Sequence, residues 1–388
     1  MAIKPLGEVV DRSFRDLNKY QKGKNKPVKT GREWLDEIFG GLLPGDIATI
    51  AGQSGGGKSF ELQRIKNFVM NPKNNEDAKD FIWLDYAWEM RFLSNILRDL
   101  NRSLKKTKKE LLTEEFTDEE KELVKSYAKN LSDGRFFINE ETITPRAFEK
   151  EARAFLEQHK DKKGVFISID HIALAMDENG EKKSTVDAII EIVNRLKKEF
   201  PNTYWIILSQ MNRNILGRIK DKDINAMPNR SDIFQSDAMF FISDYLYICH
   251  NPYRLGIKQF SRVNEEAYEY LSDHFCEEKN GKVSFDTLGK MFYIVLKSRE
   301  SDVMFKDIFI EDVGVKDKEK YRDKPESVTE SIDIPFFKKE NTKLVDDVTF
   351  EPPAPKLASL EEAFGSAFSS TESFSLNQSS EDDDDKPF

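Results

Sequence analysis

Residues 47–59, IATIAGQSGGGKS, constrain the fold more than any other part of the chain. The pattern G-x-x-x-x-G-K-[ST] runs from Gly52 to Ser59, after a short apolar run and before FELQRIKNFVM, whose Phe60, Ile65, Phe68 and Val69 mark an apolar helix side. A loop of this composition lets successive backbone N–H groups converge on an anion, provided a buried strand fixes its start and a helix N-terminus faces the same point. Strand, loop and helix occur here in that order, which predicts an α/β fold built around this strand. Gly52, Gln53 and Ser54 would lead into the turn, and the N–H groups of Gly55, Gly56 and Gly57 would cradle a β-phosphate. The Lys58 ammonium would reach the β- and γ-phosphates and the Ser59 hydroxyl would ligate Mg2+. A plain glycine hinge leaves the Lys-Ser ending unexplained.

Three further apolar runs, FIWLDYA, GVFISID and YWIILSQ, are separated by helical stretches. Continuous apolar runs of this length suit strands covered on both faces, so the sheet is expected to be mostly parallel with flanking helices. DYLYIC and MFYIVLK would extend it, making residues 80–300 one α/β domain. The magnesium-holding acid should end a buried strand on the loop's edge of the sheet. Asp170 in VFISID and Asp85 in FIWLD both have that local form. Glu89, following the second strand, is a candidate to orient water for attack, and Gln210, ending YWIILSQ, a candidate to sense the γ-phosphate.

The net charge of −10 is concentrated at one end. Residues 351–388 carry nine acids against two lysines, so the rest of the chain is close to neutral and its overall acidity says little about any one groove. No apolar run approaches the roughly 20 residues needed to cross a bilayer, and the N-terminus lacks a signal-like apolar stretch, so a cytoplasmic protein without membrane contact is expected. Cys249 and Cys276 have no C-x-x-C partner and read as free thiols, and the four histidines form no metal-ligand pair. Residues 7–24 read as an amphipathic helix with Leu6, Val9, Val10, Phe14 and Leu17 on its apolar side, an arm followed by the hinge KGKNKPVKTG. Residues 104–131 read as a charged, solvated helix with a capping box at Thr117 and Glu120.

Several motifs together carry a family resemblance. TGREWLDEIFGGLLPGDIATIAGQSGGGKS resembles the segment that opens the motor domain of DnaB-like replicative helicases. WEM is similar to that family's L-E-M, SIDHIALAM to its I-D-Y-L-Q-L-M, LSQMNR to L-S-Q-L-N-R, and KSRES to the K-x-R-x-G finger. The likeness covers residues 7 to about 310, including the arm, which resembles the linker helix that docks on a neighbouring subunit. It implies a RecA-like fold assembled as a ring hexamer, with ATP and Mg2+ bound between subunits, moving 5′-to-3′ along single-stranded DNA. The catalytic glutamate would be Glu89, which leaves Asp170 as the magnesium-holding acid, and Lys297 and Arg299 would reach the adjacent subunit's γ-phosphate. The domains expected are an arm over 1–28, a motor over 29–335 and a disordered acidic tail over 336–388.

Three departures qualify the resemblance. The chain leaves no room for the helical primase-binding domain that precedes the motor in that family, so a motor with its arm, of phage type, is expected. Where the family has R-E-S-G after S-D-L, this chain has Phe234, Gln235, Ser236 and Asp237, so the expected DNA-contacting arginine is missing. The glycine of the finger is replaced near Ser301. Arg213, Arg218, Lys220, Lys222 and Arg230 are the basic residues that could neutralise DNA phosphates instead. The C-terminal SSEDDDDKPF resembles the acidic tip of single-stranded DNA-binding proteins, implying capture of replication partners through the polyanion and Phe388. Two rival readings remain: a RecA-like strand-exchange recombinase, and an ATP-binding replication subunit that does not unwind.

Overall fold

A computed structural model describes residues 5–176, 182–220, 228–234, 236–257, 259–260, 276–279, 282–299 and 307–313. Lys222, Ser301 and the acidic tail with Phe388 lie outside the described residues, as does the side chain of Lys220. The described residues fall into two compact units: a large one comprising residues up to Arg91 and again from Phe137, and a small helical one over Phe92–Phe136.

The large unit begins with α1 (Leu6–Gln21), none of whose residues is buried. Its apolar side is open to solvent, with Leu6 77% and Phe14 66% exposed. A short helix, α2 (Glu33–Phe39), buries Trp34, Leu35 and Phe39 and ends at Gly40, whose φ of 71° is the left-handed turn that glycine makes at least strain. Next come β1 (Ile47–Gly52), α3 (Lys58–Val69) and β2 (Phe81–Ala87).

The small unit holds α4 (Phe92–Ser103), α5 (Lys108–Thr113) and α6 (Asp118–Leu131). The single helix expected over 104–131 is thus two, each started by a capping box. Thr117 and Glu120 form one, and Thr107 and Glu110 form another that the sequence reading passed over. Glu114–Phe116 break the run because the second cap requires extended backbone at Thr117.

From there β3 (Phe136–Asn139) leads to α7 (Pro145–Gln158), β4 (Gly164–Asp170), α8 (Lys182–Glu199), β5 (Thr203–Gln210), α9 (Asn214–Lys220), α10 (Ser236–Ile242) and β6 (Tyr245–His250). Three strands, β7 (Gln259–Phe260), β8 (Cys276–Lys279) and β9 (Lys282–Asp286), make a small antiparallel sheet, and β10 (Lys290–Ser298) and β11 (Asp307–Asp312) follow.

The main sheet has eight strands in the order β11-β10-β6-β1-β5-β4-β2-β3. From β6 to β2 neighbouring strands are parallel, as expected, whereas β10 and β11 run antiparallel. Both faces are covered. On one, Ile47, Val165, Ile167, Ile169, Trp205 and Ile207 pack with residues of α7 and α8 in one core cluster. On the other, Phe166 stacks between Trp83 and Tyr204 with centroids 5.2 and 4.3 Å away. That double burial is why these strands read as unbroken apolar runs rather than alternating ones. Among the described residues no helix is long and apolar enough to cross a membrane.

Candidate phosphate-binding site

Gly52 stands at the C-terminal tip of β1, level with Gln210 of β5 and Cys249 of β6. A Cβ on Gly52 would lie 2.7 Å from the Cys249 carbonyl oxygen, and one on Gly56 would lie 2.9 Å from that of Gln53, so side chains are shut out at both places. Gly55 and Gly57 take φ of 72° and 99°, the left-handed region. The Gly56 N–H donates to the Gln53 carbonyl at 2.9 Å and closes the turn. The Gln53 side chain donates to the Asn212 carbonyl at 3.2 Å, while Ser54 is exposed at the apex.

Lys58 opens α3 and is buried, its Nζ donating to the carbonyls of Gly52 (3.0 Å) and Gln53 (3.1 Å). Burial pushes the Lys58 pKa below the ordinary lysine value, against the pull of Glu89 and Asp170. The Ser59 hydroxyl donates to Asp170 Oδ2 at 2.8 Å. The other carboxylate oxygen of Asp170 is buried and has no hydrogen-bond partner among the described residues. Burial raises the Asp170 carboxyl to about 6, and the Ser59 hydrogen bond opposes that only in part. An orphaned carboxylate oxygen beside a serine hydroxyl is a fitting pair for a hard cation that takes its remaining ligands from phosphates and water. Asp85, the rival acid, is two residues short of its strand end and is engaged by Lys66, Ser168 and the Trp83 indole.

Glu89 follows β2 with its side chain exposed, and its backbone N–H donates to the Asp170 carbonyl at 3.1 Å. Gln210 ends β5, and its carbonyl accepts from the Phe234 N–H at 2.9 Å. Gly52, Lys58, Ser59, Glu89, Asp170 and Gln210 therefore all belong to one edge of the sheet, the C-terminal ends of parallel strands where α/β folds bind ligands.

Among the described basic residues after Gln210, two already have carboxylate partners. Arg213 is exposed, but Arg218 donates through both terminal nitrogens to the fully buried Asp232 at 2.8 and 2.6 Å. Arg230 lies 3.8 Å over the Phe240 ring and donates to Asp237 at 2.8 Å. Lys297 and Arg299 are elsewhere again. Because β10 runs antiparallel to β6, Lys297 and Ser298 pair with Leu246 and Tyr245 at the start of β6, whereas the phosphate loop is level with Cys249 near its end. Four residues of strand put the two levels on the order of 13 Å apart.

Two features carried no signal in the sequence. Arg254, in the turn after β6, donates through Nη1 to the Gly55 carbonyl at 2.8 Å and so overlies the loop. Arg32, two residues into the TGREWLD motif, is buried and bridges Glu61 in the first turn of α3 (2.7 Å) and Glu311 of β11 (2.5 Å). The motif itself closes through Asp36, which accepts from the Thr30 and Gly31 N–H groups at 2.8 and 3.1 Å.

Comparison with known proteins agrees with this architecture. Residues 27–299 match the family model for the DnaB-like helicase C-terminal domain. Among solved structures, the ATPase domain of G40P superposes with a TM-score of 0.55 at 15% identity, covering 78% of this chain and 93% of that one. A DnaB-like replicative helicase, solved for its interactions with primase, superposes with a TM-score of 0.54 at 14% identity, covering 80% of this chain and 64% of that one. No curated protein matches the chain. The structural likenesses show the fold, that of a RecA-like P-loop NTPase with a mixed central sheet flanked by helices.

Proposed function

The chain belongs to the DnaB-like helicase C-terminal domain family, and from that premise we propose that it is an ATP hydrolase working as a ring hexamer that moves 5′-to-3′ on single-stranded DNA and unwinds duplex during replication. The observation that carries the proposal is the polarity of the sheet. Phosphate-binding residues occupy one edge, while the basic pair Lys297 and Arg299 occupies the other. A chain so built cannot bring its own Arg299 to its own loop, but a neighbour arranged head to tail can, the contact from which closed rings and open filaments are both built; the ring form rests on the family.

In this reading the N–H groups of Gly55, Gly56 and Gly57 bind the phosphates, and Lys58 exchanges its two carbonyl partners for phosphate oxygens. Ser59 and Asp170 would hold Mg2+, which when bound neutralises charge on the phosphates. Glu89 orients the attacking water, and Gln210 reads the γ-phosphate through its amide. Arg299, with Lys297, supplies positive charge to the neighbour's transition state. The exposed apolar side of α1 docks on the adjacent subunit, and the tail ending at Phe388 recruits replication partners.

One observation favours a second reading. Phe234 stands where the family contacts DNA through arginine, and Arg218 and Arg230 are already neutralised by Asp232 and Asp237, which suits an ATP-binding replication subunit that does not unwind. Electron microscopy with an ATP analogue and single-stranded DNA, paired with a fork-unwinding assay, separates the readings. Closed six-fold rings with strand separation support the helicase. Rings without it support the accessory subunit, and continuous filaments that pair homologous strands support a recombinase. Lys58→Ala is predicted to abolish ATP turnover; turnover at the wild-type rate in that variant removes the nucleotide assignment altogether.

A further inference from the structure

The residue immediately before β6 is Asp244, whose side chain is only 9% exposed. Its backbone N–H donates to the Ile47 carbonyl at 2.8 Å, and its Oδ2 accepts the Ile47 N–H at 2.9 Å, so the carboxylate is fixed against the first residue of β1. Oδ2 also accepts from Lys197 of α8 at 3.0 Å. On the other side, Oδ1 stands 2.7 Å from Arg299 Nη1, and the Asp244 carbonyl accepts the Arg299 N–H at 3.0 Å. Arg299 Nη2 donates to the Phe241 carbonyl at 3.0 Å.

These contacts hold the guanidinium without consuming it. A guanidinium has five N–H donors. Among the described residues two are used, one toward Asp244 and one toward Phe241, while the Arg299 side chain stays 50% exposed. Three donors thus remain on a side chain whose backbone and tip are both tied down, the backbone N–H to the Asp244 carbonyl and the tip to the Asp244 carboxylate and the Phe241 carbonyl near the end of α10. An arginine that must meet a phosphoryl group on another subunit gains most from being held in its reactive orientation beforehand, since an error of about 1 Å can lower a rate on the order of a hundredfold. The geometry points to Asp244 as the positioning residue of the Arg299 finger, an inference that rests on the proposal that Arg299 acts across the subunit boundary. The carboxylate that aims the arginine also pins the start of β1, whose far end opens the phosphate loop, so one rigid strand relates the chain's own site to the group it offers its neighbour.

The rival explanation is that Asp244 only holds the fold together, and subunit mixing tells the two apart. Retention of ADP with aluminium fluoride, counted per chain after gel filtration, reports completion of a single site by a neighbouring finger and does not need coordinated turnover around a ring. Asp244→Asn keeps an acceptor for the Ile47 N–H but removes the charge facing Arg299; alone, it is expected to lose retention at least about tenfold while still binding ADP. Lys58→Ala has a defective loop but intact Asp244 and Arg299. Mixed with Asp244→Asn in excess, it should restore retention at the Asp244→Asn loops, because each is then completed by an unaltered finger. Arg299→Ala sets the benchmark. Rescue of both variants supports the assignment. Rescue of Arg299→Ala but not of Asp244→Asn confines Asp244 to its own fold and overturns the assignment, leaving the trans reading intact. Retention by Arg299→Ala alone, or its failure to be rescued, removes the trans reading and this inference with it. Lys197→Met strips the other cation from the carboxylate and spares the finger, so it should retain the complex at the wild-type level even where Asp244→Asn does not fold; loss of retention there also overturns the assignment.

Discussion

Asp170→Asn should make the nucleotide-free protein more stable while abolishing ATP turnover. The Asp170 carboxyl is raised by burial from 3.8 to about 6. Between those values the folded chain holds a proton that the unfolded chain has released, so stability falls as pH rises through this window, and the deficit is complete above about pH 6. At about 1.4 kcal/mol per pH unit, a displacement of roughly two units amounts to about 3 kcal/mol of stability surrendered at neutral pH. Asparagine cannot ionise, and its amide oxygen still accepts from the Ser59 hydroxyl. In EDTA at pH 8 the variant is therefore predicted to exceed the wild type by about 2–3 kcal/mol, with the gap closing toward pH 4. Urea denaturation followed by tryptophan fluorescence measures this directly, because Trp34, Trp83, Trp88 and Trp205 all lie in the large unit. Magnesium and ATP should then stabilise the wild type more than the variant, since the cation uses the charge that destabilises the bare fold. A variant less stable than wild type at pH 8, or a gap that persists unchanged to pH 4, refutes the reasoning.

Other changes probe separate parts of the molecule. Arg299→Ala should leave nucleotide affinity within about twofold while hydrolysis falls on the order of a thousandfold or more; steady-state kinetics beside a fluorescent-nucleotide titration would contradict the trans role if affinity collapsed and turnover survived. Arg32→Met leaves the buried Glu61 carboxylate without its cation and should destabilise the large unit by about 3–5 kcal/mol, read as a shift in urea midpoint at constant m. Arg254→Ala removes a solvent-exposed contact to Gly55 and should change stability by less than about 0.5 kcal/mol. It should nonetheless weaken ATP binding by on the order of 1 kcal/mol, about fivefold, as a cation over the phosphate loop is lost; equal affinity in the two proteins disposes of that role.

What could be read from the residues alone follows from where each feature keeps its partners. The phosphate loop is contiguous: Gly52 to Ser59 carry their own turn, cradle and charge, and the strand and helix that fix them are adjacent in the chain, so fold class and loop were legible together. The acid was harder, because Asp85 and Asp170 look alike in one dimension. Only the packing shows that Lys66, Ser168 and Trp83 engage Asp85 and leave an oxygen of Asp170 without a partner. Strand direction was not legible for β10 and β11, since a buried run such as MFYIVLK has the same composition either way up, and that direction decides which edge of the sheet receives Arg299.

The opposite edge was the least legible of all. Arg299 was marked by its KSRES motif, but the groups that hold it, Lys197 through the carboxylate and Phe241 and Asp244 directly, lie about fifty to a hundred residues earlier and form no pattern with it. The partners of Arg218 and Arg230 were hidden for the same reason, because a cluster of arginines shows charge but not the carboxylates that meet it. Asp232 lies fourteen positions from Arg218, a spacing with no local meaning until β5 and the turn at Arg230–Asp232 are brought together by the Met211–Ile233 bridge. A site whose ligand is bound by backbone can be read from a short stretch of sequence. A site that works by orienting one side chain toward another molecule depends on what restrains that side chain, and the restraints on Arg299, the buried Asp244 carboxylate and the Phe241 carbonyl, appear only in the packing.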